Sequence, residues 1–500
     1  MRARLESWWQ EDQWRTALLA AMLVFAPLIR AGNRPIPLLI LELLALVLLL
    51  SAWQRVAWHE LPRLLRWGLV GLVALPLIQW LPVPSALWAQ LPGHDRLAAA
   101  LAGEGLAEGW RSLSLVGGAT EQAFLALLPP LAVFFTAWSL PARVVRQVVV
   151  LVIGMGVVQA LLGLLQYGAG PDSLFALGNP FASHSASGFH ANRDHFAGMM
   201  EMLLPLAIAL TAARFGHGVR SGGFYRSWRQ RLSHWVDWRA NQTLLYGLSV
   251  LVMFLALVFS RSRTGVVLGM LLILLAAFAF ARRLGGRRAA GIAGTLAVGA
   301  LALAAEIGLA PVLQRFVLID PVQDARWSIF QSTFEGVAHF LPLGSGAGTF
   351  PWVFPLFQDM GYHAYVNHAH NDYLEWALEG GAVAVGVVIL LAAAYLLHWR
   401  RVWRPGEWRT FRFVQVGAGL GLLLLALHGW VDFNFRIPAN AIYFAFLAAL
   451  FFHPGEAERE APVDRPMRRL PSTRLPPRQI LGPALEPVPN PLEDGEKKQA

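Results

Sequence analysis

His368-Ala-His-Asn-Asp-Tyr-Leu-Glu375 gathers two imidazoles, an amide, two carboxylates and a phenol where a polar loop runs into an apolar stretch at 374–398. A bilayer-spanning helix needs roughly 20 apolar residues, so the stretch that follows is long enough to cross. Polar groups concentrated at a membrane boundary cost stability unless they are used. These residues therefore decide two things: the fold is a bundle of membrane helices, and its chemistry is to be sought at one face of it.

Outward from this point the chain stays apolar. Of its 500 residues 56% are hydrophobic and only 14% charged, whereas a soluble domain is nearer a quarter charged. Mean hydropathy is +0.48. Apolar runs recur near 15–30, 36–53, 67–82, 121–140, 145–167, 196–213, 243–260, 264–281, 289–310, 374–398, 412–430 and 436–453. They predict an all-α integral membrane protein of about twelve transmembrane helices, with one long loop, 311–373, between spans nine and ten. Twenty Trp suit interfacial belts. The absence of Cys excludes disulfides, thiolate catalysis and Cys-ligated metal. The net charge of +10 is distributed by loop; the partner expected from it is the lipid bilayer, not nucleic acid. Arg2 and Arg4 precede an apolar run from about Thr16 without a small-residue cleavage site, so the first span is read as uncleaved.

Arginine placement orients the spans. With a cytoplasmic N-terminus every second connection should be basic. Arg55, Arg63 and Arg66 fit, as do Arg143 and Arg146, the arginines of 214–242, the four at 282–288 and those at 400–412. Both termini are then cytoplasmic, and 83–120, 168–195, 260–263, 311–373 and 431–436 face the other side. Residues 454–500, rich in Pro, Arg and Glu, read as a disordered cytoplasmic tail. The 84–101 stretch reads as an amphipathic helix lying on the surface.

Polar constellations all fall on the non-cytoplasmic side. Gly188-Phe-His-Ala-Asn-Arg-Asp-His-Phe-Ala-Gly198 precedes a span. A helix start capped by Asn192 or Asp194 explains part of it and leaves Arg193 and His195 over. Phe259-Ser-Arg-Ser-Arg-Thr-Gly265 joins two spans with almost no loop. Arg261 and Arg263 run against the orientation rule there. Guanidinium forks bind phosphate oxygens bidentately and stay charged when partly desolvated; snorkelling to lipid headgroups is the alternative. Asp324-Ala-Arg-Trp-Ser-Ile-Phe begins a short amphipathic helix through about His339, and Pro342-Leu-Gly-Ser-Gly-Ala-Gly-Thr-Phe350 follows. Those glycines lack the strand–turn–helix setting of a nucleotide loop and read as a tight turn. Arg326 either closes over an anion or pairs with Asp324 or a neighbour. In the opening stretch, Asn371 suits an N-cap and His370 suits proton uptake near neutral pH, with Asp372 and Glu375 near in sequence to strengthen it. His368 is read as incidental, and no metal is expected, because the two histidines lack an i, i+4 ligand set. In His428-Gly-Trp-Val-Asp-Phe-Asn-Phe-Arg436, Asp432 orients a histidine, pairs with an arginine, or belongs to a capped turn.

Taken in order, these elements resemble the O-antigen ligase and polymerase family of bacterial membrane proteins. Asn192-Arg-Asp-His-Phe-Ala resembles its Asn-x-Asn-His-Phe-Ala element, and Ser262-Arg-Thr-Gly its Ser-Arg-x-Gly turn. Arg326-Trp with Pro342-Leu-Gly-Ser-Gly resembles its periplasmic Arg…Trp…Pro-x-x-Gly-x-Gly loop. His370-Asn371 with Gly380-Gly381 resembles its His-Asn…Gly element, and His428…Asp432 its last outer turn. The resemblance spans roughly 185–440. It divides the chain into N-terminal transmembrane spans 1–5 at 1–180, an O-antigen ligase-like transmembrane core at 181–453 with its periplasmic loop 311–373, and the tail 454–500. Asp194 and the additional Arg261 depart from the family pattern, so both Arg261 and Arg263 stay candidates.

The resemblance implies a metal-independent, cofactor-free glycosyltransferase of the bacterial inner membrane. Its donor is a glycan on a polyprenyl diphosphate; its acceptor is a hydroxyl of lipid A-core or of a polysaccharide, or in a few relatives of a protein. Such a transfer needs a base, for which His370 is the candidate, and cations for the departing diphosphate, for which Arg263, Arg326 and Arg261 are candidates. Arg193, His195, Asn371 and Asp432 complete the expected substrate-binding set. Direct displacement would invert the anomeric carbon. The alternative is a transporter or flippase of lipid-linked glycans, which should carry charge or broken helices at mid-membrane.

Overall fold

The computed structural model describes residues 2–170, 172–179, 185–221, 238–280, 325–358, 365–406 and 408–455. The expected span at 289–310, the basic stretches 222–237 and 282–288, the loop portions 311–324 and 359–364, and the tail from 456 lie outside them.

The described chain is almost entirely helical. The long helices are α1 (Arg2–Leu28), α2 (Pro35–Trp53), α3 (Arg63–Trp80), α4 (Asp95–Gly103), α5 (Gly117–Ser139), α6 (Ala142–Ala169), α7 (Arg193–Ser221), α8 (Trp238–Phe259), α9 (Arg263–Phe280), α10 (Ala325–Phe340), α11 (Asp372–Val402), α12 (Thr410–His428) and α13 (Pro438–Phe452). Eleven of the twelve expected spans coincide with one of these helices, and eight helices among the described residues are long and apolar enough to cross a membrane. The 84–101 expectation is corrected in detail. The segment breaks into a short helix, Ser85–Trp88, and α4, and it is bracketed by a two-stranded antiparallel ribbon that pairs Pro82–Pro84 with Trp110–Ser112. The prolines that flank and enter the first strand fit such an edge pairing.

α7 is the axis of the bundle. Its apolar window is 89% buried, and α8, α9 and α12 pack around it. Apolar side chains give little driving force for association in lipid, so close backbone approach matters there. Gly417 and Gly421, four apart on α12, supply it. A Cβ at Gly417 would lie 2.7 Å from the Pro205 carbonyl oxygen, and one at Gly421 2.7 Å from that of Met202. α2, α5 and α13 pack side by side with α1, and α3 packs on α11.

α11 is kinked at Gly381 (φ 57°, ψ −147°), a conformation open to glycine. The break releases the carbonyls of Leu378 and Glu379, which would be costly unsatisfied in a membrane. The 342–349 loop takes them: Ser345 N donates to Leu378 O and Gly346 N to Glu379 O, both at 2.9 Å, while Ala382 N donates to Pro342 O at 2.9 Å. The glycines of this loop thus serve a helix break and bind it from outside. Gln79 at the end of α3 locks the joint, donating to Glu379 O (2.8 Å) and accepting from Ala347 N (2.9 Å).

Candidate active site

α11 begins at a tight reversal. The Asn371 side chain caps it, accepting from Tyr373 N (3.1 Å) and Leu374 N (3.0 Å). His370, just before the cap, is left-handed at φ 52°, which is uncommon for a residue with a Cβ. The reversal presses the rings of His368 and His370 onto Phe433. His368 stacks on it with centroids 4.2 Å apart, and His370 meets it edge-on at 4.9 Å. His195, in the first turn of α7, meets the same ring at 4.6 Å. Asp372 N donates to Gly429 O (2.9 Å), tying this start to the end of α12.

Asp432 is the hub. It is fully enclosed, and its Oδ1 lies 3.3 Å from His370 Nδ1 and 3.8 Å from His195 Nε2. It also accepts from Phe433 N at 2.9 Å. Burial alone would raise this carboxyl. The hydrogen bond with His370 and the electrostatic pull of His195, Arg326 and His428 outweigh it and hold the carboxyl well below the usual carboxylate range. Asp432 is therefore an anion at neutral pH. Of the two carboxylates near His370 in sequence, Glu375 goes to His368 and Asp372 accepts from Phe435 N. The carboxylate beside His370 comes instead from sixty residues away on the α12–α13 turn.

A second row runs beside the hub. His368 Nδ1 lies 3.0 Å from Glu375 Oε1, so His368 is not an incidental ring. Arg436 bridges Glu375, with Nε at 3.1 Å, and Glu379, through Nη2. Burial works against the charge on Arg436, and Glu379 and Glu375 more than offset it, raising its proton affinity. Glu379 Oε1 also accepts from Phe350 N at 3.2 Å, anchoring the short Phe350–Val353 helix.

The arginines approach from elsewhere. Arg326, in the first turn of α10, donates to Val431 O (3.0 Å), beside Asp432, and its Nη2 lies 3.8 Å from Asp194 Oδ2. Asp324, its alternative partner, lies outside the described residues. Asn192 Oδ1 accepts from Asp194 N (2.8 Å), so Asn192 caps α7, and Arg193 occupies its first position half-buried. In the 259–265 turn both serines are structural. Ser260 Oγ accepts from Ser262 N, and Ser262 Oγ accepts from Gly265 N, each at 3.2 Å. Arg261 is left-handed (φ 56°), with its guanidinium 5.3 Å from the Tyr167 ring centre and 3.4 Å from its hydroxyl. Arg263 opens α9, whose Gly265 abuts Ala197, one turn along α7 from Asp194.

His370, Asn371, Arg326, His195 and Asp432 are thus joined in one cluster by their own contacts or their neighbours', with Arg193 on the next residue of α7. Arg261 and Arg263 sit on the adjoining turn. The sequence reading did not pick out Phe433, Arg436, Glu379 or Glu201. Glu375 and Glu379 at i, i+4 on one apolar helix were the legible signal, since such residues share a face and need a cation when enclosed.

Fold and site together define a multi-pass membrane protein with a histidine–carboxylate–arginine centre at one end of its helices. Residues 248–389 match the family model of the O-antigen ligases; that stretch of the chain is similar to the O-antigen ligase family, and the match supports a membrane enzyme that transfers glycans. The match takes in Arg261, Arg263, Arg326, His370 and Asn371; Arg193, His195 and Asp432 lie outside it. No curated protein matches the chain.

Proposed function

We propose that the protein moves a glycan from a polyprenyl diphosphate donor to a hydroxyl of lipid A-core or of a polysaccharide at the periplasmic face of the bacterial inner membrane. The observation that carries the reading is the partly exposed His370 ring, 26% accessible, backed by the enclosed Asp432 carboxylate at 3.3 Å. In the tautomer that donates Nδ1–H to Asp432, Nε2 keeps its lone pair for an acceptor hydroxyl. The hydroxyl oxygen attacks the anomeric carbon while its proton passes to Nε2. The bond from that carbon to the diphosphate breaks, its electron pair leaves with the phosphate oxygen, and the configuration inverts.

Arg326, supported by Asp194 and Val431, is one cation for the departing diphosphate, and Arg263 on the adjoining turn is the other. A guanidinium stays charged when partly desolvated and matches phosphate oxygens with its planar fork, which suits it to carry this charge.

The test is release of polyprenyl diphosphate by purified protein supplied with a lipid-linked oligosaccharide and with lipid A-core or free polysaccharide. His370→Ala should lower turnover by about 10²–10⁴-fold and leave donor binding intact. Arg263→Lys should lose most activity, because a point charge does not replace a planar fork. EDTA should leave the parent rate unchanged. Retention of more than about a tenth of the rate by His370→Ala, below even the ~10²-fold of a general base, would remove His370 from the role. A rate abolished by EDTA and restored by magnesium would remove the arginines.

A further inference from the structure

Besides the His370–Asp432 and His368–Glu375 pairs there is a third histidine–carboxylate pair, which the reaction above does not use. His428, the last residue of α12, places Nδ1 3.0 and 3.1 Å from the two carboxylate oxygens of Glu201, two turns into α7. Both side chains are fully enclosed. An ionisable pair sequestered in a membrane helix bundle is retained against a high desolvation cost. Three polar atoms around it have no hydrogen-bond partner among the described residues and no access to solvent: His428 Nε2, Asp432 Oδ2 and His195 Nε2. Such orphans are rare unless internal water or a function accounts for them.

We infer that Glu201 and His428 form a charge-separated pair that acts as a positioning element for the base, its imidazolium offsetting the negative charge of Asp432 so that His370 is free of its proton before the acceptor arrives. The inference rests on His370 being the base. A histidine facing an enclosed carboxylate tends to hold its proton, which spoils it as a base unless a nearby cation offsets that carboxylate. The groups that act on Asp432 are His370 itself, His195, Asp194 and Glu201 from α7, Arg326 from α10, His428 from α12 and Asp372 from α11. Among them His428 is in hydrogen-bond contact with a carboxylate two turns into α7, Glu201. Glu201 holds its Nδ1, so His428 can stay charged on a carboxylate that the reacting pair does not use.

Two measurements decide it. In His428→Gln, the unpaired Glu201 takes up a proton, the offset is lost, and the acid limb of the pH–rate profile for polyprenyl diphosphate release should move to higher pH by about half a unit or more, with kcat near neutrality lowered and KM for the lipid-linked oligosaccharide little changed. A variant that is merely less stable would lose rate equally at all pH values, and an unmoved limb overturns the inference. Should His428→Gln not fold, Glu201→Gln supplies the second measurement by infrared difference spectroscopy of detergent-solubilised protein at neutral pH. Subtraction from the parent should show loss of an ionised carboxylate stretch; loss of a protonated carboxylic acid stretch means the pair is neutral and overturns the inference. His370→Ala, run alongside, separates the two failures. Retained turnover there removes the base reading, whereas inactive His370→Ala with an unmoved limb in His428→Gln removes only the pair's role.

Discussion

Arg436 shows how the site balances charge at the level of single residues. Among the described residues its guanidinium is in direct contact with both enclosed carboxylates, Glu375 and Glu379. Removing one partner of a buried pair leaves an uncompensated charge and costs about 3–5 kcal/mol. Arg436→Met should therefore lower the melting temperature of the detergent-solubilised protein strongly, although methionine fills much of the space. An unchanged melt would mean that the two carboxylates are satisfied without it. Asp432 is held low by its neighbours and His190 is pushed down to about 3 by burial, against the hydrogen bond that its Nε2 donates to Asn440 Oδ1. At neutral pH Asp432 is thus a fixed anion, and His190, which shares Asn440 with the His195 backbone, is a fixed neutral ring beside the site.

At the level of elements the broken α11 carries the architecture. Its kink at Gly381 exists because the 342–349 loop supplies donors for the freed carbonyls. A Cβ at Gly381 would lie 2.2 Å from the Pro342 carbonyl oxygen, in a backbone conformation that favours glycine. Gly381→Ala should cost at least the ~1–3 kcal/mol of a residue held in a sparsely populated conformation. It should also undock the loop, lowering both turnover and the thermal midpoint; normal values for both would show that the break is incidental. The ribbon-and-α4 segment carries a pH-dependent element. His94 is enclosed against Trp88, with ring centres 4.5 Å apart, and burial pushes it down from 6.5 to about 4 despite Asp95. Below about pH 6.5 the opened segment binds a proton that the closed one refuses until about pH 4, so stability rises with pH across that window. Hydrogen exchange in 85–112, corrected for its intrinsic pH dependence, should be faster at pH 5 than at pH 7, and His94→Gln should abolish the difference. Equal protection at both pH values in the parent would refute this.

At the level of the whole molecule, every candidate residue gathers at one end of the bundle, and the arginines at 55–66, 143–146 and 400–412 mark the other end of the same helices. If the arginine-rich end is cytoplasmic, reporter fusions in the 311–373 loop and after Pro454 should report opposite sides of the membrane. The same side for both would overturn the topology and the periplasmic assignment of the reaction. The sequence by itself determined the membrane class, the helix positions and the stretches that bear polar chemistry, because a bilayer demands long apolar runs and makes any polar residue near them conspicuous. It also made the helix caps at Asn192 and Asn371 legible, because capping is local. Only the tertiary structure decided the pairings. His370 faces Asp432 rather than its sequence neighbours Asp372 and Glu375, Arg326 meets Asp194, and Glu201 meets His428. Those partners lie on different helices, and hydropathy, which places each helix in the bilayer, carries no information on which polar faces meet; that is set by close packing at residues such as Gly417 and Gly421 and by the need to neutralise each enclosed charge.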